Sequence, residues 1–539
     1  MFNVAVFFHR CSRRISIAFT FLLAGILGGV PAIAAAQQGG VSVLTQHNDN
    51  HRTGANLQET RLTPANVNRR QFGLLFKDEV DDQIYGQPLV VAGVKIGGGV
   101  HDIVVVATVN NSVYAFDADH PGPAYWQNNF GPAASVNDAY FGCADLNGKF
   151  GIVGTPVIDP AHRTLYVVSL SVEHAHFVQK LHALSLRTGQ ERKPGPVVIS
   201  ADGFNPLRQN QRPALLLDRG VVYIGYSSHC DNGFYHGLLF AYDTRTLRRI
   251  AVFNVTPTGN GGSIWQSGQG PAADSHGNIY FTTSNGDWDG RWNFSESLLK
   301  LSTRFGLALS DWFTPSNYPL LNHADLDLDS SGVLLIPGLH LATADGKQGM
   351  LYLLNTRHLG HLGDAAAVQT LQASITELNG GPVYWDGARV GPAIYVWGQD
   401  DVLRGYRLIG GRLETRPFAH GDITSGFPGG MLSLSANGKH DGIVWANTLA
   451  RQGSQHHYGV HHFANLGVLR AYPARHPSQE LWDSDRHFTR DHCGNISKNA
   501  PPTIANGKVY LASFGQRQSG TGRLCVYGLL PGVSGAAKK

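Results

Sequence analysis

Side chains able to do chemistry gather in a few polar stretches of the chain. SSHCDNGFYHG (residues 227–237) carries His229, Asp231 and His236, and RHFTRDHCGN (486–495) carries His487, Arg490, Asp491 and His492. HHYGVHH (456–462) adds four of the 25 histidines. Imidazole binds metals or moves protons near neutral pH, although loop histidines can equally be plain solvated surface. If these stretches converge, His229 or His236 could act as a base, and Arg52 and Arg490 could pair with the carboxylate of an acidic sugar. That neutralisation matters because removing a proton beside a carboxylate is slow unless its charge is offset. Trp265, in GSIWQSGQG, offers a flat apolar face to a sugar ring or a planar cofactor, with Asp231 and Gln266 placed to fix hydroxyl groups.

ADLDLDSSG alternates Asp325, Asp327 and Asp329 with leucine. On an extended segment that spacing puts three carboxylates on one side, where a cation or solvent would ease their repulsion. A helix-loop-helix calcium loop is not formed, because its sixth position requires Gly and Ser330 stands there. No His-Glu-x-x-His, Gly-x-Ser-x-Gly or phosphate-binding loop occurs.

What must position these loops is a chain of 539 residues with 65 Gly, 26 Pro and only 15% charged residues, which suits many short strands and turns. The 25 Phe, 19 Tyr and 9 Trp argue against disorder. A net charge of +4, without a dense basic run beyond the N-terminus, argues against a nucleic-acid partner. Arg10, Arg13 and Arg14 precede an apolar run and then PAIAAAQQGG. This reads as an export signal over residues 1–36, and implies a secreted or periplasmic monomer without a later membrane span. Removing the signal leaves Cys143, Cys230, Cys493 and Cys525, an even count that permits two disulfides in an exported chain.

A pattern recurs along the chain: an apolar strand, a Gly- or Asp-containing turn, a strand ending near Tyr, then a Leu-x-Ala-aromatic strand. GTPVIDPAHRTLYVVSL with KLHALSLRTGQE is one copy, and PPTIANGKVYLASFG with RLCVYGLL is the last. Eight units begin near Gln87, Gly154, Arg212, Gly270, Gly332, Gly380, Gly430 and Pro501, at about 57 residues each. The expected fold is all-β, an eight-bladed propeller, with seven blades if the weak sixth unit is misread. The propeller spans residues 72–530, after an extended segment at 37–71 and before a tail at 531–539. FGLLFKDEV (Phe72–Val80) has no unit of its own and the last unit shows only three strands, so this strand is expected to close the ring as the outermost strand of the last blade. Links from second to third strand, and from one blade to the next, are long and share one face, which is therefore the expected site. Cys143, Cys230 and Cys493 lie on these links and Cys525 starts the last unit's third strand near the same face, which predicts the pairs Cys143–Cys230 and Cys493–Cys525.

With RTGAN at residues 52–56, GTPVID at 154–159, SHCDNGFYHG at 228–237 and PPTIANGKVY at 501–510, the chain resembles the exported quinoprotein-like (PQQ-repeat-like) β-propellers. Fragments of that family's docking repeat also occur: Ala115, Asp117 and Trp126, then Ala183 with Thr188 and Gly189. The resemblance implies that such Trp residues clip blade to blade. It also implies that a quinone-using member carries adjacent cysteines and a Ca²⁺ site, and no Cys-Cys pair is present. The leading expectation is therefore a propeller that binds a carbohydrate or an envelope protein on its long-loop face, without quinone. The alternatives are a PQQ- and calcium-dependent alcohol or sugar dehydrogenase, and a polysaccharide lyase or hydrolase.

Overall fold

Valine- and leucine-rich strands without a polar face must be covered on both sides, and in this chain the covering is done by neighbouring blades. The structure, a computed structural model, describes residues 39–135, 146, 148–450, 465–514 and 520–532. It forms eight sheets of four or five strands arranged as an eight-bladed β-propeller, antiparallel except where Ala55–Asn56 and His361–Leu362 add a short parallel edge. Each innermost strand starts just after one of the expected unit starts, for example Leu89–Ile96, Val157–Asp159, Leu334–Ile336 and Met431–Asn437. The weak sixth unit is a blade, built from Val383–Gly387, Gly391–Val396 and Arg404–Ile409.

Alternation along the first blade shows how the core is made. Leu89, Ile103, Val105 and Val113 pack against Ile158, Leu165 and Val167 of the second blade. Their neighbours Val90, Val104 and Tyr114 pack the other way, onto Ala512, Leu524 and Val526 of the eighth. Trp126, on the outer strand of blade one, donates its indole N–H to Leu186 O at 2.9 Å. Its ring lies so close over Gly189 that a Cβ there would sit 2.4 Å away. The docking residues Trp126 and Gly189 therefore join blade one to blade two. Short first-to-second turns are held by Asp side chains: Asp159 accepts from the amides of Ala161 and His162, and Asp274 from those of His276 and Asn278.

The ring closes as the leftover strand requires. Phe72–Val80 pairs antiparallel with Gly522–Leu529, from Phe72 opposite Leu529 to Val80 opposite Gly522, as the outermost strand of blade eight. Phe72 is fully buried against Trp482, with ring centroids 4.9 Å apart. The same blade carries the Cys493–Cys525 disulfide, with Cα atoms 6.0 Å apart. Cys143 and the four histidines at 456–462 lie outside the described residues, as does the tail from 533 on.

A second closure comes from the extended segment before Phe72, which crosses the centre of the ring. Val43 exchanges backbone hydrogen bonds with Val90, Leu44 O accepts from Ile158 N, and Asn50 bonds Leu217 O and Ala273 N. His51 O accepts from Leu335 N, Thr53 O from Tyr384 N and Gly54 O from Leu434 N, while Asn56 donates to Ile504 O. In order, these contacts reach the innermost strand of every blade. Arg52 sits among them with no exposed surface, donating to Thr45 Oγ1, Gln46 O, Pro271 O and Leu215 O. Burial, opposed by the Asp49 carboxylate, lowers its pKa to about 10. His47 beside it is pushed down to about 3 by burial and by the Arg52 charge.

Candidate functional site

The long links of blades three, four and five bring five carboxylates and one ammonium together. Asp231 follows the second strand of blade three, Asn285 and Glu296 that of blade four, and Lys347 that of blade five. Asp325, Asp327 and Asp329 come from the link between blades four and five. There the expected extended alternation is corrected: Pro319 starts a short helix, Tyr318–Ala324, which Asp325 ends with φ of 55°, and Leu328–Ser330 forms a 3-10 turn. The three carboxylates nevertheless share one neighbourhood.

Lys347 Nζ lies 2.9 Å from Asp325 Oδ2 and 2.5 Å from Asp327 Oδ2. It also stands 5.9 Å from the centre of the Trp265 ring. Trp265 N–H donates to Asp329 Oδ2 at 2.6 Å, and Leu328 N–H to Glu296 Oε2 at 2.8 Å. Asn285 bridges with its amide, 2.7 Å to Asp325 Oδ1 and 3.2 Å to Asp231 Oδ2. Asp231 further accepts from Ser228 Oγ at 2.7 Å and from the Tyr235 hydroxyl.

Several acceptors are left over. Glu296 Oε1, Asp327 Oδ1, Asp329 Oδ1 and Asn285 Oδ1 are buried and have no hydrogen-bond partner among the described residues. Burial, then the Asp327 charge, holds Glu296 and Asp329 well above the usual carboxylate range. Burial also pushes Asp327 up to about 6, against the pull of Lys347. Lys347 moves above its ordinary value because Asp327 and Asp325 outweigh its own burial. The arrangement favours groups that donate protons or carry positive charge.

The other expected site residues are placed differently. Arg52 belongs to the central segment, and its donors all serve protein oxygens. Arg490 forms a two-point pair with Asp491, 2.6 Å at each contact, and reaches Phe72 O on the outermost strand of blade eight. No pair of arginines over the channel results. Gln266 is buried, its carbonyl accepting from Thr282 N–H at 3.1 Å and its amide donating to Gln269 O at 2.9 Å. His229 is buried edge-on against Phe150, and His236 is buried with Nδ1 3.2 Å from Thr256 Oγ1, its pKa lowered by that burial. Trp265, Asp231, Asp325, Asp327 and Asp329 do come together. Lys347, Glu296 and Asn285 were missed, although all three lie in second-to-third links, the same link class that singled out Asp231.

A quinone with its calcium would need a flat face and an oxygen cage. Trp265 and the unpartnered oxygens are the right types, since Ca²⁺ takes oxygen ligands. As arranged, however, the position between Asp325 and Asp327 is held by the Lys347 ammonium, which also stands beside Trp265. Among the described residues no group of three or more His, Cys, Asp or Glu side chains is disposed to hold a metal ion. This arrangement is an ammonium-neutralised acidic cluster and does not fit a calcium cage.

No protein-family model matches the chain, and no curated protein matches it. Solved structures do. The quinohemoprotein alcohol dehydrogenase ADHIIG of Pseudomonas putida HK5 is 14% identical with a TM-score of 0.57, over 90% of this chain and 80% of that one. The quinohemoprotein alcohol dehydrogenase of Comamonas testosteroni is 15% identical with a TM-score of 0.58 and the same coverage. A europium-containing methanol dehydrogenase is 13% identical with a TM-score of 0.60, over 90% of this chain and 98% of that one. At such identities the likeness carries the fold and not the activity. The chain thus shares its eight-bladed β-propeller fold with these dehydrogenases.

Proposed function

We propose that the long-loop face binds a neutral or cationic carbohydrate in an exported protein, with Trp265 as the apolar platform and the Asp231–Asp329 cluster as the acceptor of its hydroxyl hydrogens. The observation that carries this reading is the surplus of buried acceptors, Glu296 Oε1, Asp327 Oδ1 and Asp329 Oδ1, beside an aromatic ring. An acidic polysaccharide is the wrong charge for this face, and neither Arg52 nor Arg490 is placed to neutralise one. The lyase reading therefore loses its support. Export is supported by the signal-like N-terminal residues and the Cys493–Cys525 bridge. Among the described residues no helix is long and apolar enough to cross a membrane.

Neutral, amino and acidic oligosaccharides arrayed on one glass surface test the reading. Binding of neutral or amino glycans, weakened at least tenfold by Trp265→Ala, is expected. Retention of acidic glycans alone overturns it.

A second reading keeps a quinone-dependent oxidoreductase, for which the same unpartnered oxygens are the supporting observation. It requires Lys347 to leave its place between Asp325 and Asp327. Titrating the purified protein with pyrroloquinoline quinone and Ca²⁺ while recording absorbance decides it: a saturable spectral change supports this reading, and an unchanged spectrum removes it.

A further inference from the structure

Next to the acidic cluster, with Lys347 as the shared wall, a cavity of about 500 Å³ opens between blades five and six. That volume lies within the range of small-molecule sites. Its apolar surface comes from Leu326, Met350 and Ile375, and its polar surface includes Asn317, Gln399, Asp364 and Glu377. Hydrogen bonding on this wall is lopsided. Gln399 is only 9% exposed and its amide N–H donates to Asp400 Oδ2 at 3.2 Å, but its Oε1 has no partner among the described residues. Asn317 repeats the pattern, with Nδ2 donating to Gln348 Oε1 at 2.9 Å and Oδ1 unpartnered. Gln372 Nε2 already donates to Gln348 O at 2.8 Å and Ser374 O at 2.7 Å. Asp364 and Glu377 add two further acceptors, each with a single side-chain hydrogen bond among the described residues, from Ser316 N–H and Asn379 Nδ2.

A buried amide oxygen without a donor is destabilising, so a ligand supplying donors there gains what the protein lacks. Two carboxylates at the same wall, beside a lysine already neutralised by Asp325 and Asp327, add a preference for positive charge. We propose that this cavity is a subsite for a hydroxylated amine of amino-sugar type, whose hydroxyls donate to Gln399 Oε1 and Asn317 Oδ1 and whose ammonium faces Asp364 and Glu377. The proposal deepens the carbohydrate reading and assigns a location and a charge preference to it.

Calorimetric titration of the full chain with glucosamine, glucose and glucuronate tests it. Glucosamine should bind most tightly, glucose more weakly and glucuronate not measurably. Gln399→Leu should weaken glucosamine and glucose alike by about fivefold to tenfold, one hydrogen bond's worth. Glu377→Gln, an isosteric change on a partly exposed link, should erase the advantage of glucosamine over glucose while its thermal unfolding stays that of the parent chain. Glucuronate binding as well as glucosamine, absence of heat with all three sugars, or binding untouched by both variants overturns the subsite. The long-loop-face reading at Trp265 is decided separately by Trp265→Ala on oligosaccharide arrays, so the two fail independently.

Discussion

Lys347 Nζ stands 2.5 Å from Asp327 Oδ2 inside a wall that also holds Glu296 and Asp329, so one ammonium serves a buried acidic group larger than itself. Removing one partner of a buried ion pair leaves the other uncompensated, at about 3–5 kcal/mol. Lys347→Met should therefore lower stability by about that amount, read as a shift of the urea midpoint without a change in slope. A shift below about 1 kcal/mol would show that the cluster is neutralised in some other way.

The same cluster sets a pH dependence. Asp327 is pushed up to about 6 in the folded protein, and burial raises Glu296 and Asp329 as well, so the folded state holds more protons than the unfolded state above about pH 4. Stability contributed by these groups accordingly falls as pH rises through 4 to 6 and beyond. Asp345, pushed up to about 7 by burial, acts in the same direction. Thermal melts from pH 4.5 to 8 should show the decline, steeper in Lys347→Met. A variant with Glu296→Gln and Asp329→Asn should flatten it.

The disulfide of blade eight closes a loop with a sequence separation of 32 residues. Chain-entropy arithmetic for such a loop gives about 3–4 kcal/mol. Replacing Cys493 and Cys525 together by serine should cost an amount of that order in guanidinium unfolding, and peptide mapping without reductant should recover the two cysteines linked. Recovery of Cys493 and Cys525 as free thiols from the native protein would contradict the pairing.

Gly54 tests the segment that crosses the ring. Its φ is 68°, and a Cβ built there would lie 2.4 Å from Val383 Cγ1. Gly54→Ala should cost at least 1–3 kcal/mol, measured by thermal unfolding, although the substitution adds one methyl group far from any outer loop. Deleting residues 40–80 removes that segment together with the Phe72–Val80 strand. The bare edge of Gly522–Leu529 should then drive aggregation, seen by light scattering.

Strand placement was readable in the sequence because each innermost strand follows a short Gly- or Pro-containing turn, and because apolar doublets such as Val104 and Val105 demand two covered faces. Phe72–Val80 was readable as a strand lacking its own blade. The site was half readable. Asp231 and Trp265 fall on long links, and link class together with side-chain type pointed to them. Arg52 misled because an arginine in a polar RTGAN run looks exposed, and only the closed ring shows oxygens waiting for its donors. Asp325, Asp327 and Asp329 misled in conformation, since strict alternation mimics a strand while Pro319 had already begun a helix. Arg490 sits beside its own partner Asp491, and adjacency in sequence hid that pairing.

The segment at residues 43–56 touches blades one to eight in their order along the chain, yet it precedes all of them. It is made first and can be seated last, because its final partner, Ile504, lies 448 residues later. Contacts so distant in sequence slow folding and extend the time during which open sheet edges are exposed. The segment thereby acts as a completeness check: it finds its full set of partners only when every blade has formed and the ring is the right size.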